Sequence, residues 1–258
     1  MTVRRLRHKR GWAWSIAVPI VKPLLLATTK PHWIDGEKIP AEGGCIVVFN
    51  HISEVDPLIA AHVVYDHGRL PRYLAKANLF KNRFLGFFLR AAGQIPVERL
   101  SKNAAGAFDA AVAAVRKGEL VVVYPEGTIT RDPELWPMVG KSGAARIALE
   151  TRCPVIPIGQ WGAQEVLAPY ARKPDLFPRK RIDMKVGDPV DLSDLYDVYD
   201  RERRAAVINQ ATARIMAALT DLVEEVRGET APPERFDPRK SGVAEIGNPR
   251  KNRRKDSA

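Results

Sequence analysis

His51 and Asp56 are the residues of this chain whose types and spacing suit proton transfer. They lie in Phe49-Asn50-His51-Ile52-Ser53-Glu54-Val55-Asp56-Pro57, directly after the apolar run Cys45–Phe49. An imidazole is a general base near neutral pH, and a carboxylate beside it fixes the tautomer and stabilises the imidazolium. Five residues along a regular helix would turn the two side chains about 140° apart. The pair can therefore meet only if a loop intervenes. Pro57 is a natural first helical residue, which makes Asp56 the expected N-cap of the helix behind it. On spacing alone two readings stay open: a catalytic dyad, or a capping Asp beside an incidental loop histidine. No protein nucleophile accompanies the pair. There is no Gly-x-Ser-x-Gly elbow, Gly140-Lys141-Ser142-Gly143 does not make one, and Ser53 and Cys45 have no supporting pattern. A histidine base without a nucleophile points to a substrate that brings its own hydroxyl. His62 and His67 have no third ligand at recognisable spacing, so no metal is expected and both read as helix-surface residues.

The elements that must hold such a site are legible as alternating short apolar runs and helical periods. Cys45–Phe49, Leu120–Tyr124 and Val155–Ile158 are Val- and Ile-rich and apolar on both faces, as parallel strands covered on two sides are. A helix from Ser101 carries Ala104, Phe108, Ala111, Val112 and Val115 on one face and stops at Gly118. A second follows Lys141 through Ala144, Ala145, Ile147, Ala148 and Leu149. A long third has the stripe Ile208, Ala211, Ile215, Leu219, Leu222, Val226 and ends near Gly228. This alternation predicts an α/β fold with a largely parallel sheet flanked by helices. His51 then stands in a loop at a strand's carboxyl end, where open α/β sheets place their ligands.

The basic character of the chain sits at its two ends. Its formal charge is +11 over 258 residues. Arg4, Arg5, Arg7, Lys9 and Arg10 make the first ten residues +5, and residues 235–258 are again +5, so the body between them is close to neutral. A nucleic-acid enzyme would carry its basic stripe on the fold itself. Basic ends suit an anionic surface, lipid or nucleic acid. Behind the first of them come Trp12, Trp14 and an aliphatic stretch interrupted by Pro19, Lys22 and Pro23. That pattern reads poorly as a spanning helix or signal peptide and better as an amphipathic interfacial segment that associates with a membrane. Residues 1–30 are accordingly expected to be an anchor, 31–230 the α/β domain and 231–258, aperiodic after Pro232-Pro233, a disordered basic tail. Cys45 and Cys153 form no framework and read as buried, reduced thiols.

Asn50-His51 with Asp56 resembles the Asn-His-x4-Asp signature of the glycerolipid acyltransferases, the lysophosphatidate acyltransferase family. Three further blocks follow in that family's order. Gly93-Gln94-Ile95-Pro96-Val97-Glu98-Arg99 resembles the second, with Glu98 where Asp is usual. Tyr124-Pro125-Glu126-Gly127-Thr128 resembles Phe-Pro-Glu-Gly-Thr, and Cys153-Pro154-Val155-Ile156-Pro157-Ile158 the apolar fourth block. The resemblance covers about residues 33 to 227.

The resemblance implies that His51 is the general base and Asp56 its partner, with Asn50 beside them in the substrate site. It implies that Arg99 binds the acceptor's phosphate, for which a guanidinium has the right fork. Glu126, with Gly127 and Thr128, is expected on the same sheet rim as His51, bonding the acceptor or holding the Arg99 loop. The third block departs from the family, because Ile129-Thr130 stands where Arg-Ser is usual. Arg131 or Lys141 is then expected to supply the missing charge.

The implied activity is acyl transfer from acyl-CoA or acyl-carrier protein, as co-substrate and without a cofactor, to 1-acylglycerol 3-phosphate, giving phosphatidic acid. Glycerol 3-phosphate or another lysolipid or glycolipid is the alternative acceptor, and a nucleic-acid-binding protein using its basic ends is the alternative of another class. The expected partners are the acyl thioester, a phosphorylated glycerolipid and an anionic membrane surface on the cytoplasmic face of the cell membrane, with no nucleic acid. A loop N–H near His51 or Gly127 is a candidate oxyanion donor. The run Phe84, Leu85, Phe87, Phe88, Leu89 behind Lys81 and Arg83 suits a bilayer, an acyl chain or a core equally.

Overall fold

A computed structural model of the chain describes residues 4–6, 9–97, 104–199 and 204–244. Its strands are β1 (Thr29–Ile34), β2 (Cys45–Phe49), β3 (Pro71–Lys76), β4 (Ile95–Val97), β5 (Leu120–Val123), β6 (Val155–Trp161) and β7 (Lys180–Val186). They form one sheet in the order β1-β7-β6-β2-β5-β3-β4. Every pairing is parallel except β6 with β7, and β1 runs parallel to β7. The helices are α1 (Gly11–Thr28), α2 (Asp56–Asp66), α3 (Arg83–Ala91), α4 (Ala104–Arg116), α5 (Gly143–Thr151), α6 (Ala163–Val166), α7 (Ser193–Tyr196) and α8 (Arg204–Arg227). The expected largely parallel sheet flanked by helices is the fold observed.

Alternation along the central strands feeds two cores. Ile46 and Val48 of β2, with Val121 and Val123 of β5, pack toward α4, α5 and α8. Cys45, Val47 and Phe49, with Leu120 and Val122, pack toward α1, α2 and α6. Two apolar faces are what a parallel sheet needs when helices cover both sides. β2 lies between β5 and β6, with Val48 opposite Val123 and Phe49 opposite Ile158. The carboxyl ends of β2 and β5 therefore share one rim. Cys45 and Cys153 are buried and free, and burial raises the Cys45 thiol to about 12.

Three expectations change here. Pro19 and Pro23 do not interrupt α1, which stays helical through both. By length and composition it is the one helix, among the described residues, long and apolar enough to cross a membrane. It lies against the body nonetheless. Lys22 pairs at 2.5 Å with the buried Asp66, the Trp14 indole donates to the Ala92 carbonyl at 3.2 Å, and Trp12 stacks on Phe87 at 5.4 Å. His62 and His67 are buried rather than on the surface, His62 edge-on to Trp33 and His67 against the Val63 carbonyl at 2.7 Å. Residues 231–244 are not a loose tail. The Ala231 N–H donates to Glu224 at 2.7 Å, Arg235 reaches Thr220 at 3.2 Å, and the Phe236 carbonyl accepts from the Val139 N–H at 3.0 Å. Backbone bonding of this kind leaves no hydrophobic period in the sequence. Residues 245–258 lie outside the described residues.

Candidate active site

The loop between β2 and α2 folds around one carboxylate oxygen. Asp56 Oδ2 accepts from His51 Nδ1 at 2.8 Å, from the Ile52 N–H at 2.7 Å and from the Ser53 N–H at 2.8 Å. Asp56 is thus the first residue of α2 rather than its N-cap. The helix begins after Val55, whose carbonyl accepts from Leu58 and Ile59, and the Asp56 side chain turns back toward the preceding loop. The carboxylate is fully buried and the imidazole about one-sixth exposed. Three donors on a single oxygen hold the ring in register, and an Nδ1–H bonded to Asp56 leaves Nε2 as the imidazole's proton acceptor. Of the two readings left open by spacing, the geometry is that of the dyad.

Glu126, at the end of β5, locks this loop from the neighbouring strand. Its Oε1 accepts from the His51 N–H at 2.9 Å and its Oε2 from the Met138 N–H at 3.1 Å. Burial pushes its carboxyl up to about 8 against the opposing pull of those two bonds. The Thr130 N–H donates to the His51 carbonyl at 2.7 Å and completes the clamp. Asn50 makes no substrate surface. It is fully buried, its amide exchanges two bonds of 3.0 and 2.9 Å with the Gln160 backbone, and its carbonyl accepts from the Gln160 amide at 2.6 Å. It ties the exit of β2 to β6. The signal for this tie was a single polar residue, Gln160, inside an apolar strand run.

The remaining expected residues fall into distinct places. Gly127 has φ +70°, and a Cβ there would lie 3.1 Å from the Lys141 side chain, so glycine lets Lys141 cross over the turn. Thr128 is buried, its hydroxyl 3.5 Å from that of Tyr170. Arg131 stacks on the Tyr170 ring at 4.9 Å and donates to the Ala244 carbonyl at 3.2 Å. Its guanidinium braces the C-terminal segment instead of joining Lys141. Buried Ile129 brings no charge to the rim. Glu98 and Arg99 lie outside the described residues. Both oxyanion candidates from the loop are already engaged: the His51 N–H by Glu126, and the Gly127 N–H by the Tyr124 carbonyl at 2.9 Å.

His51 opens into an apolar cavity of about 430 Å³. Pro57, Leu58, Ala61 and Tyr65 line it along one face of α2, a rise of about 12 Å. Val18, Val21 and Leu25 of α1 close one side and Phe88 and Leu89 of α3 another. Tyr124 forms its wall beside His51, the two rings 4.4 Å apart, and burial holds its phenol well above the ordinary range. Sequence reading did not single out α1 as a wall of this cavity, because its apolar residues equally fit a bilayer.

A family model described as Acyltransferase matches residues 32–161, half of the chain. The chain belongs to the acyltransferase family. Curated relatives of this acyltransferase include the 1-acyl-sn-glycerol-3-phosphate acyltransferase of Bacillus subtilis, 29% identical over 182 residues, covering 69% of this chain and 83% of that protein. The enzyme of the same name from Streptococcus pneumoniae is 26% identical over 198 residues, covering 76% and 67%. The crystal structure of the Thermotoga maritima LPA acyltransferase PlsC superposes with a TM-score of 0.58 over 83% of this chain and 82% of that one, at 20% identity, and shares its fold. His51, Asp56 and Glu126 of this acyltransferase all lie inside the matched region; the segment 231–244 lies beyond it.

Proposed function

We propose that this acyltransferase moves a fatty acyl group from a thioester, acyl-CoA or acyl-carrier protein, to the free hydroxyl of 1-acylglycerol 3-phosphate and so makes phosphatidic acid. The observation that carries this reading is the His51–Asp56 pair standing at the mouth of the apolar cavity. A mainly apolar cavity beside a base suits a long acyl chain whose reactive carbonyl stays at the rim. The curated relatives' names supply the acceptor. With Asp56 holding Nδ1–H, His51 Nε2 takes the acceptor's hydroxyl proton as that oxygen attacks the thioester carbonyl. The tetrahedral adduct then expels the thiolate, which recovers the proton from Nε2. A thiol is a good leaving group, so no acyl-enzyme is needed. The reaction needs no metal or other cofactor. Glu126 keeps the base in place through the His51 N–H. Arg99, behind β4, and Lys141, across Gly127, hold the acceptor's phosphate.

The protein works at a membrane surface, peripherally on the cytoplasmic leaflet. Ile16, Ile20 and Leu24 of α1 and Phe84 and Phe87 of α3 are exposed, Phe84 to 85%, and the two helices meet where Trp12 stacks on Phe87. Basic residues flank them, Arg10 before α1 and Lys81 before α3, as an anionic surface requires. Thioester release by the purified protein, with lysophosphatidate, glycerol 3-phosphate and uncharged lysolipids offered in parallel, tests the acceptor. Release driven best by glycerol 3-phosphate or an uncharged lysolipid would replace it.

A further inference from the structure

Asp56 holds the His51 imidazole by its edge, through one hydrogen bond at Nδ1. A single bond of that kind leaves the ring able to rock about it. Tyr124 meets the ring from the face. It follows β5 directly, and β5 runs in register with β2, Val48 opposite Val123, so the next pair sets Tyr124 beside Phe49 with their rings 6.0 Å apart. Just beyond Phe49 the chain reaches His51, and there the Tyr124 ring lies 4.4 Å from the imidazole, centroid to centroid, with 31° between the planes. The contact is closer to face-to-face than to edge-to-face. Glu126, next but one after Tyr124, accepts from the His51 N–H. Residues 124–126 therefore grip the histidine twice, once on its ring and once on its backbone. The Tyr124 hydroxyl takes no part in this grip. It is buried without a hydrogen-bond partner, and burial keeps its proton on.

We propose that Tyr124 is a positioning residue of this acyltransferase, whose ring face steadies the imidazolium that His51 becomes as it takes the acceptor's proton. The proposal rests on the reading of His51 as the base and not on which acceptor is used. The face of an aromatic ring is electron-rich and attracts a cation placed over it within about 6 Å. A neutral imidazole gains less from that face than an imidazolium does. The stabilisation therefore grows as the proton moves, where it counts toward rate. The surroundings strengthen it, because the imidazole is mostly buried and the cavity it opens into is apolar, which leaves little water to screen the charge. Asp56 at the ring's edge and Tyr124 at its face divide one task. Since the hydroxyl bonds nothing, the ring is what this residue supplies. Asp56 and Glu126 are the titratable groups bonded to His51, and Lys22 of α1, His62 and Tyr65 of α2, and Tyr73 and Lys76 of β3 line the same cavity.

The test compares Tyr124→Phe and Tyr124→Leu with the parent, full-length, using acyl-CoA and the acceptor the parent turns over fastest. The phenylalanine variant is also made with its ring progressively fluorinated, which keeps the shape and drains the face of electrons. Tyr124→Phe should keep kcat within about twofold and melt no lower, since it removes only an unpaired hydroxyl. Tyr124→Leu should lower kcat about threefold to tenfold with acceptor KM held. It should also move the acid limb of kcat/KM about half a unit to one unit toward lower pH, because an imidazolium without the face gives up its proton more readily. None of the neighbouring titratable groups is altered, so a moved limb reports the ring. Fluorination should reproduce both changes in graded steps in a protein that melts like the unfluorinated variant, which decides the matter even if Tyr124→Leu does not fold. A loss in Tyr124→Phe as large as in Tyr124→Leu assigns the effect to the hydroxyl and overturns the proposal. Rates and limb indifferent to fluorine overturn it too, as does a raised donor KM with kcat unchanged, which marks a mere wall. Transfer retained in His51→Ala overturns the base reading itself, a result distinct from a His51-dependent enzyme with an indifferent Tyr124.

Discussion

Two cavities, one of about 430 Å³ lined by His51 and one of about 180 Å³ lined by Glu126, are built by opposite means. The apolar one is walled by regular elements, α1, α2 and α3, whose side chains follow helical spacing. The polar one is walled by two irregular stretches, 138–141 and 237–239, held by backbone hydrogen bonds. A chain of methylenes is recognised by volume and dryness, which packed helices supply. A phosphate is recognised by a few directed donors, which loops tied down at several points present well. His51, the proposed base, is on a loop clamped by Asp56 from one side and Glu126 from the other.

The sharpest way to break this arrangement is at the clamped loop. His51→Ala should abolish transfer to every acceptor. Asp56→Asn should lower kcat by about a hundredfold or more with the fold intact, because an amide oxygen still accepts the Ile52 and Ser53 N–H bonds while the negative charge is lost. Steady-state rates with a thermal melt on each protein check both. Turnover at the parental rate in a folded Asp56→Asn protein would leave the carboxylate only a loop-shaping role.

Next in size is the loss of a charge proposed to meet the acceptor's phosphate. Arg99→Ala should raise acceptor KM by about tenfold and leave donor KM unaltered. Equal acceptor affinity in the variant and its parent would shift the phosphate entirely to the Lys141 side.

On the apolar side, Ala61→Phe places a ring into the α2 wall. It should shift preference toward shorter acyl donors, with the ratio of kcat/KM between long and short thioesters falling about tenfold. A profile of chain lengths identical to the parent's would remove the acyl chain from this cavity. Lys22→Met, which leaves Asp66 buried with only the Trp33 indole and His62 near it, should cost about 2 kcal/mol by denaturant unfolding. No loss of stability would mean that α1 is held without help from this ion pair.

A separate effect is on the pH dependence of stability. The Glu126 carboxyl, raised by burial from 4.5 to about 8, keeps its proton in the folded protein after the unfolded chain has released it. Its share of stability is complete below about 4.5 and declines as pH rises to about 8. Glu126→Gln should flatten that slope while lowering stability throughout, since an amide cannot accept from both His51 and Met138. Unfolding curves at several pH values measure this; a slope equal to the parent's would show that Glu126 is ionised across the range.

The regular half of the molecule was legible in the sequence and the irregular half was not. Cys45–Phe49 and the stripe from Ile208 to Val226 announce themselves by apolar content at the right period, and β2 and α8 occupy those places. The rim position of Glu126 followed from the same logic once the strands were parallel. Asp56 was misplaced as a cap because an acid before proline suits a helix start in two ways, and only the fold of the loop chooses between them. Pro19 and Pro23 were overweighted as breaks, since a helix packed on a body through Trp12, Trp14 and Lys22 can forgo two N–H donors. The segment 231–244 left no trace because its contacts run through the Phe236 and Ala244 carbonyls, atoms every residue has.

The packing of α1 and of the segment 231–244 has a consequence for synthesis. One wall of the apolar cavity, α1, precedes the sheet in the chain, and one wall of the smaller cavity, 237–239, follows it. During synthesis the first wall is made before the strands it packs against, and the second can close only after α8 is complete. A product cut short after α8 would keep His51, Asp56 and the apolar cavity while losing the segment that bonds to Val139 and Arg131. Such a product would leave the Val139 N–H without the Phe236 carbonyl, so the stretch beside Glu126 is finished only when the segment behind α8 arrives.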